Sequence, residues 1–312
     1  MKTIKYLLVV ICCLFIFTGC KLNRTTVNKK TIIVTNFPCY DFARAITKDS
    51  DIEVKMLLKP GAEIHDFDPT PQDIINIQKS GMFIYVGGES DEWVNDALKN
   101  IDKDDVKIIK LMDLVELKEE EIVEGMESDE EEDEEETEYD EHIWTSPMNA
   151  LIITRKLKDE IIKLDEKNKD KYESNASDYV GKLTQLDIDI RNVLKNSKRK
   201  ELIFGDRFPL RYFVDEYNLK YYAAFPGCSE QTEASAKTIS YLVDKVKKDK
   251  IPVIFHIELS NGKIAETIAK ETNTKVLEFH SLHNISQEDF DAGLTYIDLM
   301  NKNIENLKEA LN

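Results

Sequence analysis

Histidine is scarce in this chain, five among 312 residues, and four of the five stand where a buried ion could be held. His65 lies in Pro60-Gly61-Ala62-Glu63-Ile64-His65-Asp66-Phe67, just past a β-branched apolar stretch. His142 opens His142-Ile143-Trp144-Thr145-Ser146-Pro147, and His280 and His283 share the run Phe279-His280-Ser281-Leu282-His283. Neutral imidazole is a favoured donor for zinc and other late first-row ions, and carboxylates complete such sets. A lone histidine is more often a satisfied polar residue than a ligand. Several at strand ends, drawn from both halves of the chain, bring a shared ion into contention. His256 is different: it sits inside Val253-Ile254-Phe255-His256-Ile257-Glu258 and reads as a core or rim residue of a strand.

Hydrolytic chemistry finds less support. There is no His-Glu-x-x-His helix pair and no Gly-x-Ser-x-Gly elbow. Cys39 and Cys228 both follow predicted strands, where each could face a cleft as a soft ligand or join the other in one bridge.

The elements that must position these residues alternate. Thr31–Thr35, Val54–Leu58, Met82–Val86 and Val106–Leu111 read as strands, with helical segments between them such as 71–79. The pattern restarts after residue 200, with strands at 201–204, 220–224, 253–259 and 275–278 and a last helix over 289–311. Between the two series a helix over 171–196 carries apolar residues at Tyr179, Leu183, Leu186, Ile190 and Val193, one stripe at three- and four-residue spacing. This predicts an α/β architecture of two parallel-sheet lobes, residues 31–165 and 198–312, joined by a connecting helix over 166–197. The ligand site is expected in the interlobe cleft, at the carboxyl ends of the strands.

Residues 119–141 break the pattern. Sixteen of those twenty-three are Asp or Glu, and such a block repels itself, so a disordered loop is expected. A metal-gathering role is a weaker reading than a solvated charged loop. The net charge of −18 argues against nucleic acid, whose phosphates would be repelled.

The amino terminus has a leader's form: Lys2 and Lys5, an apolar run over 6–17, then Phe17-Thr18-Gly19-Cys20. Residues 1–19 are expected to be cleaved, with Cys20 lipidated and 20–30 a tether on the extracytoplasmic face of the cell membrane. Two or three acyl chains give stable anchoring, at roughly 0.8 kcal/mol per buried CH₂.

The motifs at 60–67, Pro71-Gln72-Asp73-Ile74, Tyr85-Val86-Gly87-Gly88 with Trp93, and 142–147 together resemble the metal-binding cluster of ABC-transporter substrate-binding lipoproteins. The resemblance covers nearly the whole chain after Cys20. It implies a monomeric binding protein that carries zinc, or alternatively manganese, to a membrane permease and its cytoplasmic ATPase. It also implies four ligands, two per lobe, which map onto His65, His142, Asp206 and His280. The third position falls on Arg207 without a gap; arginine cannot bind a cation, so Asp206 is taken, with Arg207 turned away toward a carboxylate. His283, Glu258 and Cys228 stand as supporting or substitute ligands. Three imidazoles and one carboxylate suit Zn²⁺ better than Mn²⁺. Four protein donors would leave no position for a reactive water, so no enzyme is expected. An adhesin, a label some relatives carry, explains neither the buried donors nor the twin lobes.

Overall fold

In a computed structural model, the described residues are 28–63, 67–101, 105–126, 138–227 and 233–312. The leader, Cys20, most of the tether, His65 and Cys228 lie outside them.

Two four-stranded parallel sheets form. The first has β1 (Asn28–Val34), β2 (Glu53–Met56), β3 (Ser80–Tyr85) and β4 (Lys107–Lys110) in the order β2-β1-β3-β4. The second has β5 (Glu201–Arg207), β6 (Lys220–Phe225), β7 (Val253–His256) and β8 (Lys275–Glu278) in the order β6-β5-β7-β8. Both sheets thus reverse direction at the same place in their winding, where the loops diverge and leave a crevice at the carboxyl ends. Central strand β3 is buried along its whole length, as helices on both faces of a parallel sheet require.

The helices of the first lobe are α1 (Phe37–Thr47), α2 (Pro71–Lys79), α3 (Trp93–Ala97) and α4 (Pro147–Leu164). Between the lobes runs α5 (Lys169–Lys195), which buries Tyr172, Ala176, Tyr179, Leu183, Leu186, Ile190 and Val193. Each fully buried Leu or Ile on that stripe contributes about 2 kcal/mol. The second lobe adds α6 (Arg211–Glu216), α7 (Ala236–Asp249), α8 (Lys263–Thr272), α9 (Gln287–Asp291) and α10 (Tyr296–Leu311). The expected single helix over 289–311 is therefore two. Gly293 takes φ +76°, and Thr295 starts α10 with a capping box to Asp298, which stops one helix and nucleates the next. One continuous apolar core joins the lobes, from Ile32 and Phe42 through Tyr179 to Phe279 and Tyr296.

Both ends of the acidic segment are ordered, contrary to the expectation for 119–141. Glu119 bridges Tyr139 antiparallel, and Glu120 N–H donates to Glu138 O at 3.0 Å. Val123 and Met126 pack on the core, and the Tyr221 hydroxyl donates to Glu121 O at 3.2 Å. The apolar residues among the acids and a tyrosine from the other lobe outweigh the local repulsion. Cys39, in the first turn of α1, is a free thiol with no exposed surface. Its thiol therefore does not face the cleft, and burial pushes its pKa up; the expected alternative partner, Cys228, lies outside the described residues.

Candidate metal centre

His142 is placed by a turn held from both lobes. Tyr212 of α6 donates its hydroxyl to Asp140 O at 2.9 Å, fastening the acidic segment where it ends. Asp140 Oδ1 then accepts the His142 N–H at 2.8 Å and lies 3.1 Å from His142 Nδ1. Downstream, Ser146 caps α4 by accepting from Asn149 N–H, with Pro147 in the first turn. The carboxylate holds Nδ1 as the protonated nitrogen, which leaves the Nε2 lone pair for a ligand, as in metal-bound histidines. Nε2 is buried and has no hydrogen-bond partner among the described residues.

His283 meets it from the second lobe. The two rings have centroids 4.8 Å apart, nearly perpendicular, with Trp144 5.2 Å from His283. Glu141 completes the group: its carboxylate, His142 and His283 each offer a ligand atom, all within 4.8 Å of one another. One ion could touch all three. Glu141 Oε1 lies 3.6 Å from His283 Nε2, while Oε2 accepts from Ser90 N–H at 3.0 Å and the Ser90 hydroxyl donates to Oε1. Gly88, at φ +80°, leaves space for this carboxylate, since a Cβ there would lie 2.4 Å from Oε2. Gly88 of the Gly87-Gly88 motif thus makes room for Glu141, while Gly87 makes room for the Lys110 side chain.

The electrostatics favour a cation. Burial pushes the Glu141 carboxyl up, but His283, His142 and Ser90 overcome it and hold the pKa at about 2. Burial pushes His142 down, and the Asp140 charge and hydrogen bond, aided by Glu141, raise it above the usual imidazole value. His283 lies below that value, chiefly through burial, with the His142 charge adding to it against Glu141.

Glu258 works as scaffold. Its carboxylate accepts from Ser281 N–H at 2.6 Å, the Ser281 hydroxyl at 2.7 Å and His283 N–H at 3.1 Å. Leu282 takes φ +66°, a left-handed conformation costly for a branched residue, and that turn carries the chain from His280 to His283. His280 Nδ1 accepts from Leu282 N–H at 2.9 Å, and its backbone is clasped by the Asn303 amide. Asp206 accepts from Arg207 N–H at 2.9 Å and Ile257 N–H at 3.3 Å; burial pushes its carboxyl up against these bonds. Of the expected donors, then, the described residues gather His142 with His283. Asp206 and His280 have oxygen or nitrogen atoms committed to backbone N–H groups. Glu141 escaped the sequence reading because it ends an acidic run; its adjacency to His142 was the available signal.

Residues 32–310 match the family described as the zinc-uptake complex component A, periplasmic. The chain belongs to this family. It is 34% identical over 284 residues to the high-affinity zinc uptake system protein ZnuA of Bacillus subtilis, covering 91% of this chain and 88% of that protein. It is 31% identical over 310 residues to the zinc-binding lipoprotein AdcA of Streptococcus pneumoniae, covering 99% of this chain and 61% of AdcA. Against AdcA, then, the chain spans about three fifths of the length. The Zn(II)-bound ZnuA-like domain of that AdcA superposes with a TM-score of 0.74 at 29% identity, over 90% of this chain and 98% of the domain. The twin-lobe α/β fold and the zinc-uptake family are those expected from the motifs.

Proposed function

We propose that the chain captures a zinc ion outside the cell and delivers it to an ABC permease, holding the ion with His142, His283 and Glu141. His65, which the family resemblance paired with His142, is the fourth donor. The observation that carries this is the buried, unpartnered Nε2 of His142, on a residue that offers a ligand atom within 4.8 Å of others from Glu141, beside it in the chain, and from His283 of the second lobe. Three imidazoles and one carboxylate suit tetrahedral Zn²⁺ better than the oxygen-rich set Mn²⁺ prefers. Relatives of 34% and 31% identity named for zinc point the same way. Four protein donors leave no open position for a metal-bound water, so the chain is a carrier and not an enzyme. Metal analysis of protein purified under native conditions should give one zinc per chain, and loss of the protein should arrest growth in chelated medium until zinc is added. A chain that holds no zinc, or that binds manganese as tightly, overturns this reading.

The carrier works from the membrane through a lipid on Cys20, as a monomer that meets the permease, whose ATPase lies on the cytoplasmic side. Cys20→Ala should move the protein from the detergent phase to the medium or leave it uncleaved. Fatty-acid labelling of this variant at the wild-type level would remove the lipid anchor. Deleting residues 127–137 should leave zinc affinity within about threefold, because the Glu120–Glu138 backbone pairing and the Tyr212 bond to Asp140 remain. A larger loss, read by competition with a zinc chelator, would place a donor inside the deleted stretch.

A further inference from the structure

Resting on that reading of the site, we propose that Arg207 and Glu63 form a latch across the cleft that governs how fast the ion leaves. Arg207 Nη2 lies 3.0 Å from Glu63 Oε2, joining the end of β5 to the segment that leads into His65. Both line the same small pocket as His283 and Ser281. The pair is not alone in fastening that segment to the second lobe. The Asn284 amide donates to Lys59 O at 2.8 Å and Ala62 O at 2.7 Å, and Gly61 N–H donates to Ile285 O at 2.7 Å. Asn284 and Ile285 directly follow His283, so one short stretch of the second lobe both carries a donor and grips residues 59–62. The ion pair adds a charge-assisted grip at residue 63, partly shielded because the Arg207 side chain is 16% exposed.

An arginine this near a cation site would by its charge alone weaken binding, and that gives the proposal a sign. If Arg207 only repelled the ion, removing it would slow zinc release. As a latch, its removal speeds release. Zinc transfer to an excess of chromophoric chelator, followed by stopped flow, should be about three- to tenfold faster for Arg207→Ala and for Glu63→Gln, the range of a partly exposed charge pair. Each variant should still bind one zinc per chain. The exchanged pair, Arg207→Glu with Glu63→Arg, should recover most of the lost residence time, which a general loosening of the fold would not. Unchanged or slower release from Arg207→Ala, or an exchanged pair as fast as the single variants, overturns the latch. A wild-type chain without tight zinc would instead overturn the site itself.

Discussion

Replacing His142 with alanine should lower zinc affinity by about two to three orders of magnitude, one donor's share of the roughly 10–16 kcal/mol of a four-donor zinc site. His283→Ala should do the same, and Glu141→Gln should cost about tenfold to a hundredfold, since the amide keeps one oxygen donor and loses the charge. Asp140→Asn should fall in that smaller range, because Asp140 reaches the ion only through the His142 ring it orients. These variants separate two donor sets. If the ion sits among His142, His283 and Glu141, then Asp206→Ala and His280→Ala act only through the scaffold and should cost about tenfold or less. If it sits among His142, Asp206 and His280, the order reverses, and His283→Ala becomes the mild one. Titration against a chelator of matched affinity decides it.

The sheets were legible because parallel strands buried on both faces read as apolar β-branched runs, and because helices between them leave their own periodicity. The α5 stripe from Tyr179 to Val193 is the plainest case. What the sequence left open was which of two nearby histidines points where. His280 and His283 lie three residues apart, and the choice depends on the left-handed turn at Leu282, for which a leucine gives no warning. Glu141 was hidden for the opposite reason. It is one of sixteen acids in a run, and only packing tells a carboxylate sunk between Gly88 and Ser90 from those around it. Arg207 was expected to seek a carboxylate; that the partner would be Glu63, on the other lobe, required the fold.

Asp41→Ala should destabilise the zinc-free protein by about 3–5 kcal/mol, a fall in melting temperature on the order of 10 °C by calorimetry. The Asp41 side chain is 1% exposed and serves three elements at once. Its Oδ1 accepts from Arg44 Nε at 2.7 Å on α1. Its Oδ2 accepts from the Tyr179 hydroxyl at 2.6 Å on α5 and from Tyr296 N–H at 3.1 Å at the start of α10. Arg44 reaches on to Leu294 O at 2.6 Å. Burial, reinforced by the Asp41 charge, raises the Tyr179 pKa well above its usual value, so the phenol stays a donor throughout the physiological range. Alanine would strand a buried hydroxyl, a backbone N–H and a guanidinium together, which is why the expected loss exceeds that of an ordinary hydrogen bond. The clasp also bears on transport. Because the first lobe, α5 and the second lobe meet at one carboxylate over a shared apolar core, a wide swing of the lobes would have to break it. Zinc uptake and release should therefore proceed by local movement at the cleft. Small-angle scattering should give the same radius of gyration for zinc-free and zinc-bound wild type. A clear expansion without zinc, or an Asp41→Ala loss below about 1 kcal/mol, would show that the lobes turn freely about this point.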